Sequence, residues 1–136
     1  MTDSTTARIG LTVRVNKNFD EALTQVTAAL KTEGFGVLTE IDVKDTLKKK
    51  IDVDFRPYKI LGACNPPLAY RALSAAPEAG LLLPCNVTVA YIDENVTEVS
   101  IVDPLSMLGL VQHPDLETVA EEARARLDRV AAALTQ

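Results

Sequence analysis

Apolar and polar residues alternate near the start of the chain. The apolar members of this alternation are Ile9, Leu11, Val13 and Val15. A period of two places them on one face of a β-strand, so the pattern predicts a first strand with one buried side. The polar residues 1–7 that precede this strand predict a frayed tail.

The segment after the first predicted strand has the spacing of a helix. Apolar residues recur three and four positions apart between Phe19 and Leu30. Asn18 is a good N-cap residue, and Glu21 stands three positions later, as in a capping box. Gly34 is suited to the left-handed residue that ends a helix. The pattern therefore predicts a helix that begins near Asn18 and ends before Gly34.

The rest of the chain mixes both periodicities. The predicted strands cover residues 35–41, 58–63, 81–91 and 96–102, and the predicted helices cover 43–51, 66–76 and 114–134, with a connection over 104–114. Along the sequence, most strands lie in the central part of the chain and the main helices lie on either side of them. This order favours an α+β fold with helices over a mainly antiparallel sheet. A doubly wound fold is disfavoured because no glycine-rich loop follows the first strand.

Length and composition are typical of one globular domain. The chain has 136 residues, of which 47% are hydrophobic and 24% are charged. A chain of this size buries a sufficient core without a disulfide or a structural metal. We expect a single domain over residues 1–136.

The charge balance argues against nucleic-acid binding. The formal net charge is −5, whereas binding to a phosphate backbone needs clustered lysine and arginine. The basic cluster of Lys44 with Lys48, Lys49 and Lys50 is surrounded by aspartates. We interpret it as a solvated helix face.

Neither export nor membrane insertion is predicted. The N-terminus lacks an apolar signal core, and the longest uncharged stretch, residues 79–91, is too short and too interrupted to span a bilayer. We therefore expect a cytoplasmic protein with no membrane partner. Both cysteines should be reduced in that compartment.

Two Cys-Asn pairs are the most distinctive local feature. They are Cys64-Asn65 and Cys85-Asn86, they contain the only two cysteines, and each is flanked by proline. Thiols carry chemistry, and side-chain amides can hold a ligand carbonyl or amide by paired hydrogen bonds. We predict a ligand site formed by Cys64, Asn65, Cys85 and Asn86, with the carboxylate of Asp103 nearby.

The topology decides whether the two pairs meet. If the third and fourth strands are antiparallel neighbours, Cys64 and Cys85 lie at the same sheet edge and face a common pocket. If residues 66–76 form a parallel crossover, the two cysteines lie at opposite ends of the sheet. The residues alone leave this choice open.

Other interpretations of these residues are open as well. Cysteine is among the most buried residue types, so the protein can be a structural or dimerisation domain whose two thiols belong to the core. Asn65 is suited to capping the helix at 66–76. A thiol-dependent enzyme would use Cys64 as nucleophile, with its pKa lowered by the helix N-terminus, and the only histidine, His113, as base.

Metal binding is weakly indicated. Two thiolates suit a soft ion such as Cu(I), but there is no Cys-x-x-Cys pair, and only the fold could bring together a four-ligand set of Cys64, Cys85, His113 and Met107. No metal site is predicted, and no cofactor is assigned.

Three segments resemble the prokaryotic family called domain of unknown function 302. They are the run from Arg56 to Pro66, the segment from Leu82 to Val87, and Val102-Asp103-Pro104. The resemblance extends from about Ile9 to Leu134. It implies a TATA-binding-protein-like α+β fold of order β-α-β(4)-α, with short inserted helices.

The same resemblance implies that the two Cys-Asn segments approach each other and that the protein is a homodimer. It implies nothing about DNA, because fold does not carry function. We therefore expect a small cytoplasmic homodimer that binds a small polar ligand, a reactive sulfur species or a soft metal at the Cys-Asn segments.

Overall fold

The computed structural model describes residues 9–135. The predicted tail over residues 1–7 lies outside the described residues. The elements in chain order are β1 (Gly10–Val15), α1 (Phe19–Thr32), β2 (Gly36–Asp42), α2 (Val43–Ile51), β3 (Tyr58–Cys64), α3 (Pro66–Ala75), a 3₁₀ helix (Pro77–Leu82), β4 (Cys85–Asp93), β5 (Val96–Val102), α4 (Pro104–Leu108), a second 3₁₀ helix (Gly109–Val111) and α5 (Pro114–Leu134).

The five strands form one antiparallel sheet in the order β1-β5-β4-β3-β2. Each of the four pairings joins strands that run in opposite directions, so no parallel crossover connects β3 to β4. The α+β fold predicted from the sequence is confirmed. Its order is β-α-β(4)-α, with short helices inserted between β2 and β3, between β3 and β4, and between β5 and α5.

The main core lies between one face of the sheet and the helices α1 and α5. Alternate strand residues point into it, including Val15, Leu61, Val87, Val99 and Ile101. Helix α1 adds Val26 and Leu30, and α5 adds Leu127, Val130 and Leu134. Each of these side chains is at most 3% exposed, as expected where a period-two face meets a helical stripe.

A second apolar cluster joins α3, α4 and the first half of α5. Its buried members include Leu68, Ala72, Leu108, Leu116 and Val119. Helix α5 therefore packs on the sheet with its second half and on the short helices with its first half.

Local signals explain several element ends. The Asn18 side chain accepts a hydrogen bond from the Glu21 backbone N–H at 2.9 Å, as the predicted cap requires. Gly34 has φ of +84° and follows α1, and a side chain there would be strained.

Two segments differ from the sequence prediction by more than a shift of one or two residues. The predicted strand over 81–91 begins only at Cys85, because residues 77–82 form a 3₁₀ helix with Pro77 in its first turn. The predicted connection over 104–114 contains α4, whose N-terminus is capped by the Asp103 side chain. Both differences arise where proline favours the start of a helical turn.

Within residues 9–135, no helix combines the length and the apolar character that crossing a membrane requires.

Candidate functional site

The pairing of β3 with β4 brings the two Cys-Asn segments to one end of the sheet. Ala63 lies opposite Cys85, and Gly62 lies opposite Asn86. Because β3 ends at Cys64 and β4 begins at Cys85, the two cysteines are near neighbours across this strand pair.

Cys64 and Cys85 both line a cavity of about 300 Å³, which we call the thiol cavity. Its other walls come from the 35–39 segment, from α3, α4 and α5, and from the Leu83-Pro84 segment, whose peptide bond is cis. Most of the lining is apolar, including Leu68, Leu73, Val119 and Ala123. The volume is at the lower end of the range of about 300–1,000 Å³ that is usual for small-molecule sites.

Both thiols are free and half-buried. Cys85 also packs against the main core. Burial, together with a smaller effect of the neighbouring Cys64, raises the pKa of the Cys85 thiol to about 11. Cys85 is therefore a neutral thiol at physiological pH, which makes it a weak nucleophile and a poor metal ligand until it loses its proton.

Asn65 also lines the thiol cavity, but its side chain is occupied within the protein. Its Oδ1 accepts a hydrogen bond from the Leu68 backbone N–H at 3.2 Å, which caps α3. Its Nδ2 donates to the Glu33 carbonyl at 3.3 Å. With both ends engaged and the residue buried, the amide ties the start of α3 to the end of α1.

Asn86 does not line the thiol cavity. It follows Cys85 in β4, so the alternation of the strand directs its side chain to the opposite face of the sheet, where it is exposed. The structure therefore separates Asn86 from Asn65.

Asp103 lies at a different cavity, of about 110 Å³, beside β1 and α5. Its carboxylate accepts a hydrogen bond from the Leu105 backbone N–H at 2.9 Å and lies 3.8 Å from Arg124 Nη1. These contacts give Asp103 a capping and ion-pairing role at the start of α4.

His113 lines a third cavity, together with Gln112 and Glu117. Its Nδ1 accepts a hydrogen bond from the Asp115 backbone N–H at 3.2 Å, so the ring caps α5. Cys64 and His113 thus line different cavities, and the structure shows no nucleophile–base pair between them.

Several residues that line the thiol cavity were not predicted from the sequence. Leu38 and Thr39 enter it from β2, at a point where the pairing register shifts between Val37 and Thr39. Gly62 leaves the space that Thr39 and Pro84 occupy, since a Cβ there would overlap Thr39 Oγ1. Glycine inside a strand is the one signal of this close approach that the sequence contains.

Metal ligands do not cluster at this site. Within residues 9–135, no group of three or more histidine, cysteine, aspartate or glutamate side chains is arranged to hold an ion. A metal at the thiol cavity would depend on Cys64 and Cys85 alone.

Comparison with known proteins places the chain in a family. A search among curated proteins finds no match. A solved structure described as "Crystal structure of uncharacterized conserved protein DUF302 from Bacillus stearothermophilus" superposes with a TM-score of 0.84 at 32% sequence identity, over 94% of this chain and 99% of the other. The profile of "Domain of unknown function DUF302" matches residues 11–134. The chain therefore belongs to the DUF302 family.

Proposed function

We propose that this protein binds a small molecule in the thiol cavity and acts as a homodimeric binding protein. The observation that carries the proposal is the position of both cysteines at one cavity. They lie 21 positions apart in sequence, at the end of β3 and the start of β4. A concave, largely apolar cavity with a few polar groups in its walls is the usual form of a small-molecule site.

The chemistry of the walls discriminates among the expected ligands. A small polar ligand would find few partners, because the Asn65 amide is already bonded at both ends. A soft metal would have to displace the proton from the neutral Cys85 thiol. A neutral sulfur species needs neither free polar partners in the wall nor a deprotonated Cys85 thiol. The proposed ligand site consists of Cys64 and Cys85, with Asn65 as a structural support.

A thiol-dependent enzyme is the second candidate, and it has less support. Cys64 lies at the N-terminus of α3, next to the capping Asn65, where a thiol is well placed for chemistry. However, His113 lines another cavity and uses its Nδ1 to cap α5. This candidate therefore lacks a base for Cys64.

The homodimer is supported by an incompletely covered surface around α2. None of the residues of this helix is buried, and a nine-residue helix is marginal on its own. Ile51, Val53 and Phe55 leave apolar surface exposed beside it. A second copy that covers this surface would supply the missing packing.

The dimer is tested by light scattering coupled to size exclusion. Ile51→Glu should produce monomers, because Ile51 is 63% exposed in this surface. Leu110→Glu is the matched control, since Leu110 is 72% exposed but lies beyond α4. A monomeric parent protein, or equal loss of dimer in both variants, would contradict this assembly.

The ligand is tested by native mass spectrometry of protein purified under reducing conditions. The parent protein should carry an additional mass that denaturation releases, and the Cys64→Ser/Cys85→Ser double variant should lose it while its circular dichroism is retained. An unchanged additional mass in the double variant would contradict the proposal.

A cytoplasmic location and a single domain over residues 1–136 complete the proposal, since free thiols at the site need a reducing compartment.

A further inference from the structure

We infer that the ligand of the thiol cavity is a neutral, largely apolar organic molecule. This inference rests on the proposed function and specifies its ligand class. The Cys-Asn pairs led us to expect a polar ligand, whereas the ligand proposed here is bound through burial of apolar surface.

The lining carries no ionisable acid or base other than the two thiols. None of its sixteen residues is an aspartate, glutamate, lysine, arginine or histidine. The cavities at Asp103 and at His113 do carry ionisable side chains in their lining. The first contains Asp103 and Arg124, and the second contains His113 and Glu117. A charged ligand in the thiol cavity would lose its hydration without gaining a counter-charge, which is strongly unfavourable.

The inner wall is formed by the protein core. Phe35, Ala63, Ala72 and Val119 line the cavity and are each at most 3% exposed. Protein interiors pack densely, and voids much larger than a water molecule are few. A cavity of about 300 Å³ against such a wall is therefore suited to an apolar group that fills it.

The mouth is apolar as well. Leu38 on β2 and Leu73 on α3 both line the cavity and are 68% and 41% exposed. An apolar ligand would cover these two side chains as it entered. The half-buried thiols then provide the soft, weakly polar contact at which a ligand atom can be held.

Fluorescence titration with two probes of the same ring skeleton tests the inference. Phenyl-naphthylamine is neutral and apolar, and anilinonaphthalene sulfonate adds one negative charge. The neutral probe should bind saturably with one site per chain, and the sulfonate should bind at least about tenfold more weakly, because its charge finds no partner.

Variants on α3 locate the binding. Ala69→Phe places a ring in the thiol cavity, which Ala69 lines, and should abolish binding of the neutral probe. Ser74→Phe adds the same ring on the same helix, at a separate cavity beside Asp115, and should leave binding unchanged. If Ala69→Phe does not fold, Leu73→Glu at the mouth replaces it, with Leu81→Glu as the control because Leu81 is exposed and does not line the cavity.

Each other outcome overturns the inference in a distinguishable way. Binding of the neutral probe that survives Ala69→Phe or Leu73→Glu would place it elsewhere. If the probes fail but Cu(I) or an inorganic polysulfide binds and is lost in the Cys64→Ser/Cys85→Ser variant, the inference is wrong and the proposed function stands. If neither probe, metal nor polysulfide binds, both fail. Dissociation of the dimer by Leu73→Glu, with no probe binding, would assign the mouth to a second copy.

Discussion

The side-chain amide of Asn65 donates a hydrogen bond to the backbone carbonyl of Glu33 at 3.3 Å. The same carbonyl accepts a second hydrogen bond from Arg126 Nη1 at 3.2 Å. Asn65 also caps α3 through the Leu68 backbone N–H. Asn65, the residue that follows the first cysteine, thus connects the end of α1 to the start of α3, and Arg126 of α5 joins them at the same carbonyl.

Removal of this amide should cost stability. We expect Asn65→Ala to lower the free energy of unfolding by about 1–3 kcal/mol, because the buried Leu68 backbone N–H at the start of α3 loses its capping partner. Asn18→Ala, which removes the exposed cap of α1, should cost about 1 kcal/mol. Urea denaturation measures both. A stable Asn65→Ala variant that no longer binds ligand would instead make Asn65 a direct ligand contact.

Gly62 should tolerate no side chain. A Cβ at Gly62 would overlap Thr39 Oγ1 and lie 2.8 Å from Pro84 Cγ, so Gly62→Ala should lower the free energy of unfolding by about 1–3 kcal/mol through overpacking. It should also displace Thr39 and Pro84, which line the thiol cavity.

Gly36→Ala is the matched control on the neighbouring strand. A Cβ there meets nothing within 4 Å, so this variant should be neutral or up to about 1 kcal/mol more stable. Equal effects of the two substitutions in urea denaturation would contradict the close packing assigned to Gly62.

The Cys85 thiol should make stability depend on alkaline pH. Its pKa is 9.0 in the absence of the fold and about 11 in the folded protein. Below pH 9 the thiol is protonated in both states, and its stabilising contribution is complete. As the pH rises from 9 to 11, the unfolded chain binds fewer protons than the folded one, so the free energy of unfolding falls by up to about 1.4 kcal/mol per pH unit.

Comparison with Cys85→Ala isolates this contribution. The alanine variant retains the other titrating groups, so the difference in unfolding free energy between the two proteins should shrink as the pH rises through this range. Urea denaturation at several pH values measures it. A difference that stays constant from pH 8 to pH 11 would show that the Cys85 thiol is not desolvated.

Much of the fold could be predicted from the sequence because local signals agreed with the tertiary structure. The cap at Asn18 and the glycine at position 34 stand where α1 begins and ends. The predicted bounds of α2 and α5 coincide with the observed helices. The start of β4 was wrong by four residues, since apolar Leu81 and Leu82 belong to a 3₁₀ turn whose exposed and buried sides do not alternate.

The site was harder to predict because its walls come from distant parts of the chain. Cys64 and Val119 line one cavity although they are far apart in sequence, and no local pattern signals that contact. Asp103 and Asn86 were predicted to belong to the site. The strand alternation at Asn86 and the start of α4 at Asp103 direct both away from the thiol cavity.

A bound ligand should share one cavity with the two thiols. The most direct test is the rate at which iodoacetamide alkylates Cys64 in the Cys85→Ala variant, with and without phenyl-naphthylamine. Alkylation should slow in proportion to the fraction of protein that carries the probe, because the bound probe covers the thiol. A probe that binds with one site per chain and leaves the alkylation rate unchanged would contradict the claim.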